Sequence, residues 1–170
     1  MTTPVDPDGA AGRRRPGKGE AAPDFELPGT GGGRYHLGSH RGEVMVLAFY
    51  PADDSPVCTQ QLRSYDDDLG VFAGLGATIW CLSPQGIASH ERFAERLSLH
   101  MPLLADEDKQ VGASYGILGP LGFYRRSVFV VDHGGIVRFA RRSLTSMTYM
   151  PAEQLADVVR EVAAAGPPAG

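Results

Sequence analysis

A chain of 170 residues with 42% apolar content is long enough to bury the hydrophobic core of one domain. Its net charge of −4 argues against a nucleic-acid partner, which calls for a basic face, and no apolar run approaches the length of a membrane span. Two cysteines, Cys58 and Cys81, are too few for a secreted disulfide framework or a zinc site of cysteine pairs, and their spacing is not that of a C-x-x-C dithiol.

Residues 1–20 are rich in Gly, Pro, Asp and Arg and show no periodicity, which predicts a flexible tail. The folded domain is expected over 21–165, with a second flexible tail over 166–170. Arg13, Arg14 and Arg15 are not followed by an apolar export-signal segment, so a cytoplasmic protein is expected.

Asp24–Leu27 alternates and can pair with Arg34–Leu37 across the glycines of Gly29–Gly33, as a small hairpin. Val44–Tyr50 is continuously apolar, the signature of a central strand buried on both faces. After the loop Pro51–Ser55, a helix starts with Ser55 as N-cap and Pro56 in its first turn. Cys58, Leu62, Tyr65, Leu69 and Phe72 share one stripe of that helix, and Gly74 and Gly76 close it. Ala77–Leu82 reads as a strand, Ile87–Leu97 as a helix with Ile87, Phe93 and Leu97 inward, Pro102–Leu104 as an extended piece and Lys109–Tyr115 as a short helix. Val128–Asp132 and Ile136–Ala140 form a hairpin around His133-Gly134-Gly135, and Pro151–Val162 is a closing helix. A βαβ unit followed by an antiparallel hairpin and a last helix predicts an α/β protein. Its mixed sheet is flanked by helices on both faces, in the thioredoxin-like arrangement.

Cys58 falls in the first turn of a helix that follows a buried strand. The unpaired N–H groups and positive dipole end of such a helix favour a thiolate. The Ser55 hydroxyl, one turn back, can hydrogen-bond to the sulfur, and Pro51 can wall the site. Surroundings of this kind bring a cysteine to a pKa of about 3.5 to 7.5. Asp53 and Asp54 act in the opposite direction, so a cation must decide the balance. Arg126, just before the Val128 strand, is the candidate, because Arg125 would point to the other face of an extended segment.

The segment Phe49-Tyr50-Pro51-Ala52-Asp53-Asp54-Ser55-Pro56-Val57-Cys58-Thr59 closely resembles the peroxidatic-cysteine loop of peroxiredoxins. That pattern is Pro, three residues, Thr or Ser, two residues, Cys, and here Pro51, Ser55 and Cys58 supply it. The paired aspartates and Thr59 look most like the bacterioferritin comigratory protein (peroxiredoxin Q) branch of the AhpC/TSA superfamily. Gly76-Ala77, Ser83-Pro84, Ser89-His90, Phe93-Ala94, Pro102–Asp106 and Tyr115-Gly116 continue the likeness, and Arg126 stands where the family carries its arginine. The resemblance covers roughly Ala21 to Val162.

It implies a thiol-dependent peroxidase without cofactor or metal, acting on hydrogen peroxide and organic hydroperoxides. Cys58 would attack the peroxide and become a sulfenic acid. Arg126 would stabilise the thiolate and polarise the peroxide, Ser55 and the Cys58 N–H would hold the two oxygens, and Gln61 and Tyr50 would support the site. The reductant would be thioredoxin, another redoxin or a low-molecular-weight thiol, and the protein a monomer or homodimer.

The chain departs from the branch at two points. Five residues after Cys58, where a resolving cysteine is common, stands Arg63, and Ile87–Leu97 contains no cysteine either. Cys81, in mid-strand, reads as a buried small apolar residue in preference to its alternative role as the resolving thiol, since a disulfide needs Cα atoms within about 7 Å. A one-cysteine mechanism with an external thiol is therefore expected, the alternative being a peroxide sensor or binding protein with little turnover. Gln61 replaces the glutamate common in the branch. His36, His40, His90, His100 and His133 show no metal spacing and read as surface or turn residues. Asp66–Asp68 reads as a solvated helix face, Arg141-Arg142 as a surface patch, and Phe123, Tyr124 and Tyr149 as candidate pocket walls.

Overall fold

The computed structural model describes residues 15–145 and 147–166. Of the tails expected over 1–20 and 166–170, residues 1–14 and 167–170 lie outside the described residues. The strands are β1 (Glu26–Pro28), β2 (Arg34–His36), β3 (Val44–Phe49), β4 (Ala77–Ser83), β5 (Leu103–Ala105), β6 (Ser127–Val131) and β7 (Val137–Arg142). The helices are α1 (Pro56–Asp67), α2 (Leu69–Gly74), α3 (Ile87–Leu97), α4 (Gln110–Ser114) and α5 (Ala152–Ala164). The first two strands pair as the expected hairpin, with Leu27 opposite Tyr35.

The main sheet has the order β5-β4-β3-β6-β7. β3 runs parallel to β4 and antiparallel to β6, so the sheet is mixed. Every residue of β3 is buried, as its unbroken apolar run requires of a central strand. Alternation divides its side chains between two layers. Val44, Val46 and Ala48, with Tyr50 just beyond the strand, pack with Cys58, Leu62, Tyr65, Phe93 and the apolar stripe of α5. Met45, Leu47 and Phe49 pack on the opposite side with Phe25, Trp80, Tyr115 and Tyr124. This is the thioredoxin-like architecture anticipated from the element order.

Two boundaries differ from the sequence reading. The segment before residue 21 is not all tail: Pro16 is buried, and its carbonyl accepts from Arg142 Nη2 at 2.9 Å. Gly19 N–H donates to Val137 O (2.7 Å), and Val137 N–H to Glu20 O (2.8 Å). The outer edge of β7 carries backbone groups that need partners, and this strap supplies them. The long helix expected from Ser55 to Phe72 is broken at Asp68 (φ −99°, ψ 11°) into α1 and α2. Asp68 N–H bonds back to Tyr65 O, and Asp68 O accepts from Val71 and Phe72 N–H. Gly76, at φ +73°, then turns the chain into β4, a conformation open to glycine and strained for most other residues.

The Asp66–Asp68 run is also more than a solvated face. Asp66 accepts from His100 N–H (2.6 Å) and Met101 N–H (3.1 Å), fixing the connection between α3 and β5. Arg142, expected on a surface patch, is instead half-buried over the Phe129 ring and donates to Tyr115 O at 2.7 Å. Among the described residues no helix is long and apolar enough to cross a membrane.

Candidate active site

Ser55 caps α1 as its sequence predicts, accepting from Cys58 N–H at 3.3 Å, with Pro56 in the first turn. The preceding residue, Asp54, adopts φ +65°, a left-handed conformation that aspartate tolerates better than most residues. That turn lets the chain leave β3, form the loop 51–55 and enter α1 within a few residues. Pro51 is half-buried in this loop.

Cys58 is completely buried. Arg126 Nη2 donates to its Sγ at 3.2 Å, and Arg126 itself is 2% exposed. The guanidinium thus sets a positive charge directly against the sulfur in a site with no exposed surface. The register argument is met: Arg126 turns inward and its neighbour Arg125 is only half-buried. Arg126 Nη1 donates to Gln61 Oε1, which is fully buried one turn after Cys58. Gln61 Nε2 donates to Tyr65 Oη (3.3 Å), whose own proton goes to Met150 O (2.6 Å). Each group in this chain has one available role, so the carboxamide is held with its oxygen toward the arginine.

Tyr50 serves the site differently from a substrate ligand. Its hydroxyl donates to Asp53 Oδ1 at 2.7 Å and so is spent on the loop. Burial and then the Asp53 charge hold the Tyr50 phenol protonated, well above its usual range. Asp53 is buried as well, and Oδ2 accepts from Ser89 Oγ (2.6 Å) and meets His90 Nδ1 (2.7 Å). His90 is fully buried, which corrects its reading as a surface residue. The signal was present: His90, Phe93 and Leu97 recur at the spacing of one helical face, and Phe93 and Leu97 were read as inward. Burial alone would raise the Asp53 carboxyl, but the hydrogen bonds from His90, Ser89 and Tyr50 prevail and hold it below the usual carboxylate range. Asp54 is exposed and paired with Arg96 at 2.7 Å.

Cys81 lies in β4 opposite Ala48 of β3, with no exposed surface, and its Sγ sits 3.6 Å from Met101 Sδ. Both cysteines are free thiols. Burial pushes the Cys81 thiol far up, so it stays protonated. Of the residues expected to wall a pocket, Tyr124 belongs to the opposite layer, where it bonds Asp106, and Phe123 is largely exposed. Tyr149 does stand near α1, lining a shallow depression with Pro56, Thr59, Gln60 and Arg63.

A mixed five-stranded sheet with a buried cysteine in the first turn of the helix after its central strand, and an arginine on the sulfur, defines a thioredoxin-fold protein with a thiol held against a guanidinium. The sequence profile of the AhpC/TSA family matches residues 18–140, and the chain belongs to that family. It is 37% identical to the chloroplastic peroxiredoxin Q of Arabidopsis thaliana over 71% of this chain, a match that spans 57% of the plant protein. Its fold is similar to that of a Mycobacterium tuberculosis peroxidoxin, with a TM-score of 0.76 and 28% identity over 88% of this chain and 97% of that one. It is also similar to the Xanthomonas campestris bacterioferritin comigratory protein, which has alkyl peroxide reduction activity. There the TM-score is 0.71 and the identity 26%, over 83% of this chain and 90% of the other.

Proposed function

We propose that this chain is a thiol peroxidase in which Cys58 is the peroxidatic residue. The observation that carries the reading is the 3.2 Å contact between Arg126 Nη2 and Cys58 Sγ in a fully buried site. The thiolate attacks the distal oxygen of ROOH. An S–O bond forms, the O–O bond breaks, and RO⁻ leaves and takes a proton as ROH, while Cys58 is oxidised to the sulfenic acid. Charge moves from sulfur onto the departing oxygen, and Arg126 is placed to follow it. The Ser55 hydroxyl proton is not consumed by the cap and is available to a peroxide oxygen. The Cys58 N–H, expected to bind peroxide, already donates to Ser55 Oγ, so a substrate oxygen must share that donor.

Cys58 carries no exposed surface, so substrate reaches it only through a local opening of the site. Hydrogen peroxide and organic hydroperoxides are the proposed substrates. The alkyl peroxide activity of the Xanthomonas relative supports the second class.

The cycle uses one cysteine. Cys81 is protonated and packed on Met101, while Arg63 occupies the exposed site on α1 where a resolving thiol would stand. An external thiol, from thioredoxin, another redoxin or a small molecule, condenses with the sulfenic acid and releases water. A second thiol then frees Cys58 and forms the oxidised reductant. Two free thiols fit a reducing compartment such as the cytoplasm. The same lack of a resolving thiol favours, as second reading, a peroxide sensor that stops after one oxidation.

Peroxide consumption with excess dithiothreitol, comparing wild type with Cys58→Ser, separates these readings. Many turnovers in wild type and none in the variant support the peroxidase. One equivalent consumed and no more supports the sensor. Absence of Cys58 oxidation overturns both.

A further inference from the structure

The loop that carries Asp53 brings a carboxylate into the fold five residues before Cys58, where an anion opposes the thiolate. His90 answers it. Its Nδ1 lies 2.7 Å from Asp53 Oδ2 and its Nε2 3.1 Å from Leu104 O. A backbone carbonyl can only accept, so Nε2 carries a proton. Asp53 also takes hydrogen bonds from the Tyr50 and Ser89 hydroxyls, and one further proton lies between its Oδ2 and His90 Nδ1. With that proton on Nδ1 the ring is an imidazolium and forms a buried ion pair with Asp53. The same pair ties the loop 51–55 to α3, and Gln85 reinforces the tie by accepting from Asp53 N–H.

We infer that His90 is a positioning residue of the Cys58 site, a buried imidazolium that cancels the Asp53 charge and holds the loop of Pro51 and Ser55 in place. The groups facing it are Asp53 and Tyr50 from the loop side and the Leu104 carbonyl from β5, with Ser89 of its own helix donating to Asp53; the charge facing Cys58 is Arg126, just before β6. Tyr50 links the two centres: its hydroxyl bonds Asp53 Oδ1, and its ring shares one core cluster with Cys58. A neutral residue at 90 would leave Asp53 unbalanced, whereas neutralising both partners would restore the electrostatic state. The inference rests on the reading of Cys58 as an activated thiol. Its test measures the thiolate itself, so it is decided whether or not the protein turns over peroxide.

The experiment is the rate of Cys58 alkylation by iodoacetamide as a function of pH, in the full chain carrying Cys81→Ala. In His90→Gln the rate should fall roughly tenfold in the acid range where the thiol is mostly protonated, as one added uncompensated charge predicts. In Asp53→Asn/His90→Gln it should return to within about twofold of the parent. An unchanged His90→Gln rate overturns the inference. So does a double variant as slow as the single one, because the loss would then be packing alone. If His90→Gln does not fold, the ¹⁵N shifts of His90 in the wild type decide the matter. A doubly protonated ring at pH 7 supports the imidazolium, and a neutral ring overturns it.

Discussion

Arg126 and Gln61 are joined by a hydrogen bond from Nη1 to the carboxamide oxygen, while the other end of the same guanidinium rests on Cys58. The resemblance to the branch leads one to expect a glutamate at this position. A carboxylate would hold the arginine and also neutralise it; the carboxamide holds it and leaves its charge directed at sulfur. The orientation that a charge would impose comes instead from Tyr65, which accepts from Gln61 Nε2 and donates to Met150 O. The arginine is thus held without an acid.

Gln61→Glu should therefore weaken the site it appears to restore. The added carboxylate competes with Cys58 for Arg126, and the Cys58 thiolate fraction in the acid range should fall about tenfold. Ultraviolet absorbance of the thiolate across a pH titration measures this. An unchanged or larger thiolate fraction would show that holding the arginine matters more than keeping its charge free.

Arg126→Lys should not rescue the arginine. A single ammonium cannot reach both Gln61 and Cys58 with the fork geometry observed, and a buried lysine readily gives up its proton. Loss of one aimed donor in a dry site costs on the order of 100- to 1000-fold in turnover, and Arg126→Lys should fall within that range in kcat/KM for peroxide. Stopped-flow oxidation of Cys58, which needs no reductant, gives the value directly.

The Asp53 carboxyl predicts how stability changes in acid. Its folded value lies below that of an unfolded aspartate, about 3.9. The contribution is therefore complete above about pH 4 and is lost as pH falls through the folded value. Asp53→Asn should cost about 2 kcal/mol at pH 7, the size of hydrogen bonds to a charged group, and progressively less below pH 4. Urea denaturation of both proteins at pH 7 and pH 3 checks it. A gap that does not narrow in acid would mean that Asp53 contributes through shape alone.

Cys58, Ser55, Pro51 and Arg126 were legible in the sequence because their placement is local. The first three lie within one loop and one helical turn, and Arg126 is set by strand register. The apolar run of β3 and the stripe of α3 were equally plain. The partner of Asp53 was not, because it lies 37 residues away on another helix and only the packing of α3 on the sheet brings them together. Asp66 was hidden for the same reason: it caps the chain at His100 and Met101, 34 and 35 residues on. The strap at Pro16–Ala22 was invisible because it is held by backbone hydrogen bonds, which carry no signature of residue type. The break at Asp68 escaped because one apolar stripe runs through both helices.

Cys81 gives the most direct check on the chemistry. It sits on the same side of the sheet as Cys58, yet it is buried in β4, protonated and packed on Met101. To resolve a sulfenic acid it would have to leave the core and form a thiolate, and its surroundings oppose both. Cys81→Ala should therefore keep its turnover with dithiothreitol within about twofold, while losing about 1 kcal/mol of stability for the small cavity left behind. Cys81→Ser should be less stable still, because a buried hydroxyl with only a thioether nearby costs roughly 1 to 3 kcal/mol. Peroxide turnover and urea midpoints of the two variants separate structure from catalysis. Peptide mapping after one equivalent of peroxide should find oxidised Cys58 and a free Cys81. A Cys58–Cys81 disulfide, together with lost turnover in Cys81→Ala, would replace the one-cysteine cycle with one in which β4 opens during each turnover.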